Sequence, residues 1–79
     1  MNPLAPIHHN TFLASPMPAK VVKVLAQEGE RVTAGQSVFV LESMKMLHEL
    51  RVPKHGKVVG IQVQVGDMIL PDNHLAYII

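Results

Sequence analysis

The sequence predicts an all-β fold: a flattened barrel or sandwich of two pseudo-two-fold-related halves, each of about four short antiparallel strands. Three observations lead there. Short runs rich in Val and Ile recur along the chain, at Val21 to Ala26, Val38 to Leu41, Val58 to Val65 and Leu75 to Ile79, as strands favour. Turn residues punctuate them at Gly29, Gly35, Gly66 and Pro71-Asp72-Asn73. No window of 10 residues or more keeps the apolar spacing of an amphipathic helix.

Residues 1–10 hold Pro3, Pro6, His8, His9 and Asn10 with few apolar anchors, which reads as a disordered tail or expression remnant. The adjacent His8 and His9 fall short of the ligand count of a zinc site. Residues 11–79 form the predicted domain. Within it, Val59, Ile61, Val63 and Val65 alternate with Gly60, Gln62 and Gln64, a period of two that places the first set on one buried face. Val38 to Leu41 and Leu75 to Ile79 are continuous apolar runs, expected as strands buried on both faces.

A repeat carries more weight than any single strand. A shift of 37 positions lays Pro16 on Pro53, Lys20 on Lys57, Val21-Val22 on Val58-Val59, Gln27 on Gln64 and Gly29 on Gly66. Val24/Ile61, Glu30/Asp67, Val32/Ile69, Val38/Leu75 and Leu41/Ile78 follow as conservative pairs. Each half alone is too thin to bury its apolar face, so the two must pack together.

Size and composition narrow the function. A chain of 79 residues buries only about 60% of its unfolded surface, which favours a binding or carrier role over catalysis. The absence of cysteine removes disulfides and thiolate chemistry. A net charge of +1 argues against a nucleic-acid partner. No apolar run approaches the length of a membrane span, and the first dozen residues lack the regions of a secretory signal. His48, His55 and His74 are scattered, and no carboxylate pair or nucleophile–base set has catalytic spacing.

One stretch stands outside the repeat: Glu42-Ser43-Met44-Lys45-Met46, continuing through Leu47-His48-Glu49-Leu50-Arg51. Between strands entering at Leu41 and leaving at Leu50, it predicts a hairpin with its tip at Met44-Lys45. Two-residue hairpins favour Asn-Gly or Asp-Gly because both central residues need positive φ, and this tip has no glycine. The expectation is a tight, strained bend with positive φ at Met44 or Lys45, the alternative being a wider loop. Met44 and Met46 either fold back onto the barrel end as gap-fillers or stay exposed.

Glu42-Ser43-Met44-Lys45-Met46 resembles the attachment sequence of biotinyl domains, the biotin carboxyl carrier family within the biotin/lipoyl attachment superfamily, whose common form is Glu-Ala-Met-Lys-Met. The resemblance runs from about Phe12 to Ile79, taking in Ser15-Pro16-Met17-Pro18, Val22-Lys23-Val24-Leu25, Glu28-Gly29-Glu30-Arg31-Val32 and Arg51-Val52-Pro53-Lys54-His55-Gly56. Ser43 stands for the common Ala, Leu47 for a polar residue and Ala19 for a common Gly. Lys20 runs to Gly29 with no room for a thumb-like insertion, so the chain resembles the thumbless type.

The resemblance implies a non-catalytic carrier subunit or domain of a biotin-dependent carboxylase, in the cytoplasm or the mitochondrial matrix and not secreted. Lys45 is then the residue that a biotin protein ligase joins to biotin, with Glu42, Ser43, Met44 and Met46 recognised around it. The long arm would carry a carboxyl group between a biotin carboxylase and a carboxyltransferase. Glu42 is either an orienting contact for the ligase or a solvated carboxylate. No metal is implied, nor any membrane, and the isolated domain is expected as a monomer. Two rival readings share the fold. A lipoyl-type acyl carrier would have Asp before the lysine and Ala or Val after it, and an unmodified lipoyl-like interaction module would not need Met-Lys-Met.

Overall fold

The computed structural model describes residues 11–79; the predicted tail, with His8 and His9, lies outside them. Eight strands follow in order: β1 (Thr11–Ala14), β2 (Ala19–Val24), β3 (Arg31–Val32), β4 (Ser37–Ser43), β5 (Met46–Arg51), β6 (Gly56–Val59), β7 (Met68–Ile69) and β8 (His74–Ile78). They build two four-stranded sheets ordered β1-β8-β6-β3 and β5-β4-β2-β7, with every pairing antiparallel. The all-β sandwich of two related halves is what the sequence predicts.

The 37-residue repeat is a structural two-fold down to single pairs. Val21 faces Leu41 as Val58 faces Ile78. Ala19 faces Ile69 as Gly56 faces Val32, and Leu13 faces Ala76 as Leu50 faces Phe39. The turns obey the same rule: Gly29 N–H donates to Val58 O at 2.6 Å and Gly66 N–H to Val21 O at 2.8 Å. Side chains close the turns in matching fashion, Gln27 N–H donating to Glu30 Oε1 and Gln64 N–H to Asp67 Oδ2, both at 2.9 Å. Each sheet therefore takes two strands from each half, so the halves interleave as well as pack. The core between the sheets contains Leu13, Val21, Val32, Val38, Phe39, Leu41, Val52, Val58, Ile69, Leu75, Ala76 and Ile78.

Three expectations need correction. The stretch through Arg51 does have a counterpart: β5 is the mate of β1, Leu41 facing His48 as Ile78 faces Thr11. Of the four residue pairs that align there, only Leu13 and Leu50 share a side chain, too little for sequence comparison to register. The strand expected at Val21 to Ala26 spans Ala19–Val24 and carries a bulge between Val21 and Lys23. The strand expected over Val58 to Val65 ends at Val59, and Val58, not Val59, is buried. Gly60 interrupts it with φ +66°, and a Cβ there would lie 2.8 Å from the Tyr77 ring. Beyond the break, Ile61 and Val63 pack against the core while Val65 is exposed.

Glu28 ties the two halves together at that break. Ile61 N–H donates to it at 3.0 Å and Gly60 N–H at 2.8 Å. These backbone donors, Ile61 first, hold its carboxyl below the ordinary range. A carboxyl depressed in the folded state adds stability above its unfolded pKa, and that stability is lost as pH falls through the folded value. Glu28→Gln should therefore lower the melting temperature at pH 7, and its gap to wild type should narrow below about pH 4. Thermal denaturation across this range checks the sign; a gap of constant size would assign the loss to packing instead.

Candidate attachment site

β4 and β5 pair through six positions and close on Ser43 facing Met46, leaving Met44 and Lys45 as the whole loop. Their φ values are +53° and +64°, and among the described residues no other non-glycine has positive φ. This is the tight, strained bend expected from the sequence, with both central residues positive as a type I′ turn requires. Side chains in that region cost about 1–2 kcal/mol each relative to ordinary backbone. The β4–β5 ladder holds the bend in place, anchored by buried Phe39 and Leu41 and by Leu50 against the core.

Lys45 is exposed at this tip, and among the described residues its Nζ makes no hydrogen bond or ion pair. Met44 is 89% exposed and Met46 62%, so neither folds back onto the barrel end. Ser43 and Glu42 are half-buried at the end of β4. Glu42 lies between Lys20 on β2 and Leu47 on β5, and Lys20 in turn faces Met68 on β7. These four residues thus form one row across the outer face of the sheet, with Leu47 and Met68 exposed at its ends. The structure brings all five sequence-identified residues, 42 to 46, to one hairpin end.

The other lysines differ in setting. Lys20, Lys23 and Lys57 are on strands, and Lys54 follows β5 in a half-buried bend. Ala19 takes its place without positive φ, so the departure from the common Gly brings no backbone strain. His48 sits half-buried on β5, while His74 stacks on Phe12 with ring centroids 4.2 Å apart. Among the described residues, no three His, Asp or Glu side chains gather as metal ligands. A depression of about 290 Å³ bordered by Gln62, Asp67, Asn73 and His74 does not include the tip. Sequence reasoning missed the Leu47–Glu42–Lys20–Met68 row, since strand pairing alone brings those positions together.

The family described as biotin-requiring enzyme, the biotin/lipoyl attachment family, matches residues 11–78. The chain belongs to this family. It is 44% identical over 57 residues to the biotin carboxyl carrier protein of acetyl-CoA carboxylase from Solanum lycopersicum, covering 72% of this chain and 81% of that protein. It is 39% identical over 67 residues to the alpha subunit of mitochondrial methylcrotonoyl-CoA carboxylase from Dictyostelium discoideum, covering 85% of this chain but 10% of that subunit. The urea carboxylase of Kluyveromyces lactis superimposes on the whole chain with a TM-score of 0.84 and 28% identity, over 7% of its own length. This biotinyl domain thus spans most of the length of the Solanum lycopersicum relative but only a small part of the methylcrotonoyl-CoA carboxylase subunit and of the urea carboxylase. No described helix is long and apolar enough to cross a membrane.

Proposed function

We infer that this domain is the biotin carboxyl carrier of a biotin-dependent carboxylase, and that biotin is joined through an amide to Lys45 Nζ. One observation carries the assignment of the residue: an exposed, unengaged lysine held between two exposed methionines on a two-residue bend of positive φ. The site suits the group, because an amine at a rigid tip accepts a long acyl chain without displacing any packed side chain.

A lysine amine attacks an acyl carbon only in its neutral form. Among the described residues none bonds to Lys45 Nζ as a base, so a biotin protein ligase would supply both the activated acyl group and the proton acceptor. Glu42, half-buried one residue pair below the closing Ser43–Met46 pair, is placed to orient that enzyme. Ser43 is small enough to leave the approach open, and Met44 and Met46 offer it an adaptable apolar surface.

Held by an amide at Lys45 Nζ, biotin would supply the carboxyl-carrying chemistry that links a biotin carboxylase to a carboxyltransferase. The domain contributes no acid, base or metal to either step. It fixes the root of the arm, and tethering makes each encounter of the carried group intramolecular, a gain of about 10²–10⁴-fold without new contacts. Residues 11–79 act as the carrier unit, of the thumbless type, since β2 runs directly into the Gln27–Glu30 turn. We place it as a monomer when isolated, in the cytoplasm or the mitochondrial matrix. The mitochondrial names of several relatives support that setting.

Amide formation removes one ammonium charge, taking the formal net charge from +1 to 0. Incubation with a biotin protein ligase, ATP and biotin is expected to shift native electrophoretic mobility and to yield a streptavidin-binding species. Intact mass distinguishes a biotinyl from a lipoyl adduct, and peptide mapping should locate it at residue 45. Unchanged mass and mobility, or a lipoyl adduct acquired from a cell making both, would overturn the assignment.

A further inference from the structure

Among the described residues three methionines are well exposed: Met44 is 89% exposed, Met68 73% and Met46 62%, whereas Met17 is half-buried. Two of the three flank Lys45, and the closing pair Ser43–Met46 fixes Met46 at the base of the bend. Cysteine is absent from the chain, so no thiol competes for a peroxide oxidant. Oxidation of methionine to the sulfoxide turns an apolar, flexible side chain into a polar, chiral one and disrupts methionine-rich contact surfaces. A tip whose apolar contacts are two methionines is therefore exposed to oxidative control at the point where its partners must seat.

We propose that Met44 and Met46 are reversible oxidation sites, and that their sulfoxidation blocks modification of Lys45. The thioether sulfur attacks one oxygen of hydrogen peroxide and the O–O bond breaks. That oxygen stays on sulfur, the other leaves as water, and the sulfur loses the two electrons that peroxide gains. A methionine sulfoxide reductase reverses the change with a dithiol, releasing water and leaving a disulfide on the reductant. Each sulfoxide brings a strong acceptor into a contact shaped for an apolar group, and a polar atom buried there without a partner weakens docking. The block rests on Lys45 as the attachment point.

The experiment uses the unmodified full chain, treated with hydrogen peroxide, freed of it, and then given ligase, ATP and biotin. Peptide mass should show oxygen on Met44, Met46 and Met68 before Met17. The loading rate should fall about tenfold or more, the scale set by burying an unpaired polar group, and the two methionine sulfoxide reductases together, one for each sulfoxide epimer, should restore both mass and rate. Met68→Leu should leave this response unchanged. The double variant Met44→Leu, Met46→Leu should hold its own untreated rate after peroxide. A full loading rate with both tip methionines oxidised would overturn the proposal, as would an equal loss in the double variant or no recovery after reduction. Failure of the untreated chain to load would instead refute the attachment reading, so the two are separable.

Discussion

Exchanging two neighbours, Met44→Lys with Lys45→Met, is expected to lower the rate of biotin attachment at least about a hundredfold, the scale of a misplaced reacting group. The exchange keeps composition and net charge. It moves the amine by one residue, about 3.8 Å along the backbone, and it also redirects it, because successive positions of the bend point their side chains differently. The two bend residues have φ of +53° and +64°, and both methionine and lysine can occupy either, so the fold should survive. Circular dichroism checks the fold, and a timed streptavidin assay checks loading. Loading within a few-fold of wild type would show that the ligase follows an accessible amine, and the stiff bend would lose its role.

Gly56→Ala should be strongly destabilising although it adds only one methyl group. A Cβ at Gly56 would lie 2.5 Å from the backbone oxygen of Ile79 and 2.8 Å from Ile78 Cγ2. The neighbouring Lys57 and Ile79 exchange two backbone hydrogen bonds of 3.0 Å, so relief of the clash by moving Ile79 would stretch them. Overpacking of this kind costs about 1–3 kcal/mol, and a lost hydrogen bond adds about 1 kcal/mol. In a domain of this size the melting temperature should fall by roughly 10–20 °C, read by calorimetry or thermal denaturation. The two-fold mate, Ala19, already carries a Cβ and is buried on β2, so the halves are not interchangeable here. An unchanged melting temperature would mean that the Ile79 backbone yields freely.

Much of this architecture was legible in the sequence because turns and core positions repeat their chemistry. Gly29 and Gly66, Val21 and Val58, and Val32 and Ile69 each align at the same shift and occupy matching places in the fold. The bend at Met44 and Lys45 was legible because two short apolar segments flank residues that turns ordinarily avoid. What escaped notice depends on contacts between distant segments. Glu28 bonds to backbone 32 and 33 residues away, while its own mate is exposed Val65, so neither repetition nor local pattern marks it. Gly60 looks like the polar member of an alternating strand until Tyr77 is seen to close over it. The pairing of β1 with β8 as the mate of β5 with β4 was hidden because edge strands tolerate unlike side chains: Phe12 corresponds to Glu49 and Thr11 to His48.

The interleaving of strands bears on how such a domain could arise. β3 joins the sheet of β6, and β7 joins that of β2, so neither half can lay down its two-residue strand without the other. An ancestral segment of one half's length would have met this need by clasping a second copy of itself about the same axis, as a symmetric homodimer. Fusion of two such copies needs a link where one protomer's last strand runs beside its partner's first. β4 and β5 meet at that junction, which would make the Met44-Lys45 bend the seam of such a pair as well as the attachment point proposed above.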